Sequence, residues 1–145
     1  MNQAEPLVCH WRILGARHMC SQMGHPILKI ALVCHEYWPH RGGVERYVQE
    51  IATRLAVDNE VSVLTTDPDG TLPESEEIQG VRIERFRSFA PNRAIYHSVS
   101  MFRYLRKHSR TYDIVHANNY HALPAFFAAE SKARNRLVFL SLIHI

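Results

Sequence analysis

The chain has 145 residues, enough for one domain of ordinary size, and its 46% hydrophobic and 21% charged residues are typical of a globular protein. Its formal net charge of +3 is too small to indicate a nucleic acid as the partner. The sequence contains no apolar stretch of the roughly 18 residues that a membrane-spanning helix needs.

The cysteines and the first residues bear on the compartment. Cys9, Cys20 and Cys34 are odd in number and lack C-x-x-C spacing, which favours a reducing compartment. No zinc-site spacing fits the histidines near Cys9 and Cys20, so we expect no metal there. Residues 1–27 lack periodicity and the apolar core of a signal peptide. They are interpreted as a poorly ordered leader on a cytoplasmic protein, and the alternative is an upstream start with Met23 as the natural first residue.

Strands and helices are predicted to alternate from residue 28 onwards. Apolar or alternating runs predict the strands, and apolar residues spaced three or four apart predict the helices. The predicted order is strand 29–34, helix 43–56, strand 60–66, strand 80–86, helix 95–108, strand 112–116, helix 123–131 and strand 136–139. An acidic loop is predicted over 71–79. This alternation predicts an α/β fold with a mostly parallel, Rossmann-like sheet and flanking helices.

The pattern gives one domain over 28–139. A buried strand should be followed by a turn and a helix, but after Phe139 the chain continues as Leu140-Ser-Leu-Ile-His-Ile145. Residues 140–145 are therefore interpreted as a truncated or foreign tail.

Charge is unevenly distributed along the chain. From Arg82 to Arg110 there are seven arginines and one lysine against a single acid, Glu84. From Asp67 to Glu77 there are five acids and no base. Both segments fit ordinary solvated surfaces, and the alternative for the first is a basic face near an anionic membrane or an anionic acceptor.

Two glycines, Gly42 and Gly43, join the first predicted strand to the first helix. A helix N-terminus offers free N–H groups and about half a positive charge, which suits a phosphate. The alternative is a tight turn that needs a positive φ or a close packing contact. Glu45 competes with an incoming phosphate for the helix end, and Arg41 can offset its charge. Neither the dinucleotide fingerprint nor the P-loop pattern is present.

A second polar segment, 117–121, follows the predicted strand that ends at His116. In a parallel sheet this segment opens at the same carboxyl edge as Gly42 and Gly43. Polar side chains there can bind sugar hydroxyls or move a proton, whereas the alternative for each histidine is a contact with a backbone carbonyl. Trp38, in the first loop, either stacks on a ligand or covers the edge of the sheet.

Two segments carry a resemblance to a known family. They are Pro39-His-Arg-Gly-Gly-Val-Glu-Arg46 and Tyr112-Asp-Ile-Val-His-Ala-Asn-Asn-Tyr-His-Ala-Leu-Pro124. At this separation they resemble the amino-terminal domain of retaining glycosyltransferases of family four, over about residues 28–139. The resemblance implies the two-domain GT-B architecture, of which this chain is the acceptor-side half. It also implies sugar transfer from a nucleotide-diphosphate donor with retention and without a required metal.

The resemblance implies roles for individual residues. The paired glycines of the family lie against the donor phosphates, which corresponds to Gly42 and Gly43. The loop after the fourth strand lies over the donor sugar and the acceptor. Catalytic roles are implied for His116, Asn118 and His121, and acceptor or sugar contacts for Trp38, Arg41, Asn119 and Tyr120. Family members often have H-x-H where this chain has His116-Ala-Asn118, and an asparagine can hydrogen-bond but cannot shuttle a proton.

The expected partners follow from the same resemblance. They are a nucleotide sugar and an acceptor whose identity the sequence leaves open, with a lipid-linked acceptor and contact with the inner face of the membrane as one alternative. The family's second domain, which grips the nucleotide, is missing from the sequence, so the isolated chain is predicted to be inactive. Two other functions remain open: a Rossmann-like module that binds a nucleotide or phosphate without turnover, and an interaction protein that uses its basic face at membranes.

Overall fold

One mixed sheet with helices on both faces organises the chain. The computed structural model describes residues 26–89 and 97–118, and the backbone of 136–140. The elements are β1 (Lys29–Val33), α1 (Gly43–Leu55), β2 (Glu60–Asp67), β3 (Ser75–Ile78), β4 (Val81–Arg87), α2 (Val99–His108), β5 (Ile114–Asn118) and β6 (Arg136–Leu140). A single 3₁₀ turn, Ser109–Thr111, follows α2.

The sheet has six strands in the order β3-β4-β2-β1-β5-β6. All neighbouring pairs are parallel except β3 and β4, which are antiparallel. The five parallel strands follow the order of a doubly wound fold, and that order reverses between β1 and β5. The predicted α/β class with a mostly parallel, Rossmann-like sheet is therefore confirmed.

The two faces of the sheet carry separate cores. On one face, Ile30, Leu32, Val63 and Ile83 pack with Val48 of α1 and its neighbours. On the other face, Ala31, Val33, Leu64 and Val115 pack with Met101 and Leu105 of α2. A strand covered on both sides must be apolar throughout, which explains the unbroken apolar run of β1.

The prediction of an acidic loop over 71–79 is wrong for its second half. Residues Ser75–Ile78 form β3, which pairs with β4 in the register Glu76↔Ile83 and Ile78↔Val81. Gln79 and Gly80 make the hairpin turn with positive φ angles of 52° and 77°. Glutamates are poor strand formers in isolation, but cross-strand pairing and an arginine partner decide the conformation here.

Two other elements differ from the sequence prediction by more than one residue. Ala117 and Asn118, expected in a loop, belong to β5, because the ladder continues through Ala117↔Val33 on one side and Asn118↔Leu140 on the other. Helix α2 begins at Val99, after the N-cap Ser98, whose hydroxyl accepts a hydrogen bond from the Met101 N–H at 3.2 Å.

Several predictions fall outside the described residues. These are the leader up to residue 25, the helix over 123–131, residues 141–145 and the site candidates Asn119, Tyr120 and His121. Within the described part of the chain, neither helix is long and apolar enough to cross a membrane.

Candidate functional site

The candidate site lies where the strand order of the sheet reverses. Strands β1 and β5 are parallel neighbours with Leu32 opposite His116, so both end at the same edge of the sheet. The segment after β1 leads to Gly42 and Gly43. In open α/β sheets, ligands bind in the crevice outside the carboxyl ends of strands at such a reversal.

An open cleft of about 750 Å³ lies beside the start of α1, a size typical of ligand pockets. Its lining begins with Trp38, His40, Arg41, Gly42, Gly43 and Arg46, and it continues along α1 through Gln49, Glu50 and Thr53 to Gln79 in the β3–β4 turn. The Arg41 guanidinium lies over the Trp38 ring, 5.2 Å from the ring centroid. Arg41 and Arg46 are exposed, and neither forms an ion pair with another described residue. The cleft therefore suits an anionic ligand with a planar or apolar part.

Gly42 is required by a close approach rather than by its backbone angles. It is the N-cap of α1 with φ −129°, an extended conformation open to any residue, so the alternative of a positive φ is wrong for this glycine. A Cβ at this position would overlap Oε2 of Glu45 and lie 3.1 Å from its Cδ. The small residue therefore leaves room for the carboxylate of the first helical turn.

Glu45 brings a buried negative charge to the beginning of α1. The residue is 7% exposed, and its Oε1 lies 3.6 Å from Nε2 of His35. A carboxylate in the first turn interacts favourably with the partial positive charge of the helix end. An incoming phosphate would share that helix end with Glu45, and Arg41 and Arg46 are the nearby cations that can offset its charge.

His35, Glu36 and Glu45 form a group of possible metal ligands that the sequence analysis did not single out. Their ligand atoms lie within 4.8 Å of one another. The ligand atoms of a tetrahedral zinc ion, each about 2.1 Å from the metal, lie roughly 3.4 Å apart. A spread of up to 4.8 Å allows that spacing, and Oε1 of Glu45 lies 3.6 Å from Nε2 of His35.

His116 and Asn118 lie at the carboxyl end of β5, and each carries a buried polar side-chain atom. Burial lowers the pKa of His116 below 6.5, because the charged imidazolium is poorly solvated there, and Asn118 acts in the opposite direction. The Asn118 amide donates to the Val33 carbonyl at 3.4 Å. Nε2 of His116 and Oδ1 of Asn118 are shielded from solvent and have no hydrogen-bond partner among the described residues. Buried polar atoms without a partner are uncommon in native folds, so these two atoms are candidates for a further hydrogen bond.

The predicted site residues therefore fall into three groups. Trp38, Arg41, Gly42 and Gly43 line one cleft. His116 and Asn118 lie at the end of the neighbouring strand and do not line that cleft. The remaining candidates, Asn119, Tyr120 and His121, lie outside the described residues.

Sequence analysis missed one residue behind the cleft, Arg85 of β4. Its guanidinium donates to the Trp38 carbonyl at 2.9 Å and pairs with Glu76 of β3. In β4, Val81, Ile83 and Arg85 alternate on the buried face, so a charged residue at the third inward position was the available signal.

Comparisons with known proteins give a family and a fold. The protein-family model described as Glycosyltransferase Family 4 matches residues 41–144. Among solved structures, sucrose-phosphate synthase from Thermosynechococcus elongatus is similar, with a TM-score of 0.54 and 18% identity over 79% of this chain and 32% of that one. A second structure of that enzyme, covering 81% of this chain and 64% of its own, gives a TM-score of 0.49 and 18% identity. No curated protein matches the chain.

The structural likeness bears on the fold alone at this identity. It supports the α/β, Rossmann-like fold described above. The chain spans 32% of the length of the first synthase structure.

Proposed function

The chain belongs to Glycosyltransferase Family 4, and from that premise we propose that it is the amino-terminal, acceptor-side domain of a retaining glycosyltransferase. The enzyme would move a sugar from a nucleotide-diphosphate donor to an acceptor. The observation that carries the proposal is the cleft at the start of α1, because it combines paired glycines, two exposed arginines and an aromatic ring beside the helix that follows β1.

The proposed chemistry is electrostatic. Sugar transfer breaks the bond between the donor's anomeric carbon and the diphosphate oxygen, forms a bond from that carbon to an acceptor hydroxyl oxygen, and passes the hydroxyl proton to the departing diphosphate. Negative charge develops on the departing diphosphate, where positive groups lower the barrier. In this proposal Arg41, Arg46 and the N–H groups at the start of α1 face that charge and no metal is required. The Glu45 carboxylate stays beside Gly42 in this proposal and does not take part in the reaction.

The proposal gives His116 and Asn118 the sugar side of the reaction. Because burial lowers the pKa of His116, its imidazole is neutral at pH 7 and can accept or donate a hydrogen bond. The solvent-shielded Oδ1 of Asn118 can accept one from a sugar hydroxyl. His121 is proposed as a further catalytic group, and Asn119 and Tyr120 as sugar or acceptor contacts, from the family resemblance alone.

The donor cleft can be tested by binding. The sequence has two tryptophans, so Trp11→Phe leaves Trp38 as the single fluorescent reporter. We expect inorganic pyrophosphate and UDP-glucose to change its emission. Arg46→Ala should weaken pyrophosphate binding about tenfold, the worth of one charge-assisted hydrogen bond. The matched control is Lys107→Ala, whose exposed side chain is carried by α2 on the other face of the sheet. Equal binding by both variants would contradict the assignment.

A second test concerns turnover. The proposal includes inactivity of the 145-residue chain alone, because the groups that grip the nucleotide in this family belong to a second domain. Incubation with radiolabelled UDP-glucose or GDP-mannose and a sugar or lipid acceptor should yield no labelled product. Sugar transfer by this chain would show that part of the proposal to be wrong.

We further propose that the acceptor is lipid-linked and that the protein works in the cytoplasm at the inner face of the membrane. The observation that favours this is the outer surface of α2 and its flanks, which combines basic and apolar side chains without an acid on the helix. The exposed residues are Phe89, Val99, Arg103, Arg106, Lys107 and Arg110. Each basic residue near an anionic bilayer contributes about 1 kcal/mol of binding free energy.

Vesicle binding tests the membrane contact. The chain should sediment with phosphatidylserine-containing vesicles and not with pure phosphatidylcholine, and high salt should release it. Arg103→Glu with Lys107→Glu should abolish sedimentation, whereas Arg54→Glu, exposed on α1, should leave it unchanged. Salt-independent binding to both kinds of vesicle would contradict an electrostatic contact.

A further inference from the structure

A buried arginine connects the wall of the cleft to the edge hairpin of the sheet. We propose that Arg85 is a positioning residue that holds residues 37–41, called here the Trp38 segment, in place. Glu76 is the partner of Arg85 in this role. The proposal depends on the proposed function only for naming the cleft as the donor site, because the contacts themselves are internal to the domain.

Arg85 joins three segments that are distant in sequence. Its Nη2 donates to the Trp38 carbonyl at 2.9 Å, and its Nη1 donates to the Pro73 carbonyl at 3.1 Å. The same guanidinium pairs with the Glu76 carboxylate of β3. The backbone of Arg85 is also bonded to the segment before β3, because the Arg85 N–H donates to the Glu74 carbonyl at 2.7 Å.

Because Arg85 is buried, its guanidinium needs protein partners in place of water. The Arg85 side chain is 2% exposed, and a guanidinium removed from water must find partners for its charge and its N–H groups. Two carbonyls and one carboxylate supply them. Arginine's planar fork fixes the direction of each donor, whereas lysine is a flexible point charge with a different reach. Arg85 therefore determines where the Trp38 carbonyl lies.

The Trp38 segment forms one wall of the cleft. Trp38 and Arg41 stack within it, and the next turn leads directly to Gly42 at the start of α1. On the inner side, Tyr37 is 4% exposed and packs in the core. The side chain of Tyr37 anchors the segment in the core, and Arg85 fixes its backbone at the Trp38 carbonyl. Loss of the Arg85 contact should make the Trp38 segment more mobile without exposing the core.

The test compares four variants in a Trp11→Phe background, where Trp38 is the single tryptophan. Arg85→Met removes the charge and the fork, and Arg85→Lys keeps the charge alone. Glu76→Gln keeps the shape of the partner without its charge. The matched control is Arg82→Met, on the same strand, whose side chain is 66% exposed. Each variant is measured in the absence of ligand, so failure of the proposed donor site would leave the result intact.

Two local readouts distinguish positioning from general stability. Acrylamide quenching of Trp38 reports access to its ring. Hydrogen exchange of the His40 amide, which donates to the Tyr37 carbonyl at 3.1 Å, reports the backbone of the segment. We expect Arg85→Met and Glu76→Gln to raise quenching about twofold and His40 exchange about tenfold, with the amides of β2 unchanged. Arg85→Lys should fall between wild type and Arg85→Met.

The outcomes decide the proposal. Looser Trp38 and His40 in the Arg85 and Glu76 variants, with the control unchanged, support it. Uniformly faster exchange across β2 and the Trp38 segment, or native-like quenching in all three, would overturn it. If Arg85→Met does not fold, Arg85→Lys and Glu76→Gln still give both readouts.

Discussion

Replacing Gly42 with alanine tests the finding that Gly42 leaves room for the Glu45 carboxylate at the start of α1. An added Cβ would overlap Oε2 of Glu45, while the extended backbone of residue 42 accepts alanine without strain. The carboxylate sits at the end of a flexible side chain and can rotate away. The cost of the substitution is therefore the loss of the position that Glu45 holds.

The magnitude follows from three contributions. A carboxylate in a partly buried first turn stabilises a helix by about 1–2 kcal/mol, which displacement would remove. Alanine is a poorer N-cap than glycine by about 0.5–1 kcal/mol. Restricting the unfolded chain recovers about 0.4–1 kcal/mol. Gly42→Ala should thus lower the free energy of unfolding by about 1–2 kcal/mol in the wild-type background, and by close to zero when Glu45 is already alanine.

Urea unfolding followed by circular dichroism measures this double-mutant cycle. Gly42→Ala, Glu45→Ala and the double variant should show a coupling free energy of about 1–2 kcal/mol. Glu50→Ala replaces Glu45→Ala in the control cycle, because the exposed Glu50 carboxylate pairs with Arg54 and is not among the groups nearest Gly42. An equal cost of Gly42→Ala with and without Glu45 would refute the steric argument.

Three further predictions concern single groups. Cys34 should not react with Ellman's reagent at pH 8 until the protein is unfolded, because burial raises the pKa of its thiol to about 12. Burial lowers the pKa of His116 below 6.5, so the unfolded chain binds this proton more readily than the native chain does. The free energy of unfolding should therefore fall as the pH drops below 6.5. His116→Gln should reduce this pH dependence, measured by urea unfolding across about pH 5–7. Asp113→Ala should lower the free energy of unfolding by about 1 kcal/mol in the same assay, because Oδ2 accepts from the Lys29 N–H at 2.8 Å; an unchanged midpoint would contradict this role.

The sequence by itself determined the class of fold and predicted the edge of the sheet at which the candidate site lies. The apolar run of β1 predicted a strand buried on both faces, and the spacing of Val44, Val48 and Ala52 predicted the buried stripe of α1. Both signals repeat over a few residues, so they can be read locally. Alternation of strands and helices then predicted parallel strands, which brings the ends of β1 and β5 to one edge.

The tertiary structure decided which residues meet and why. Residues 75–78, which include the acidic Glu76 and Glu77, form a strand because β4 pairs with them and Arg85 pairs with Glu76. Arg85 lies 47 positions from Trp38, and Asn118 lies 85 positions from Val33. No local pattern encodes contacts over such separations, because they exist only once the sheet has set its strand order and register. The reason for Gly42 was also hidden, since its backbone is ordinary and its need comes from the position of one side chain, Glu45.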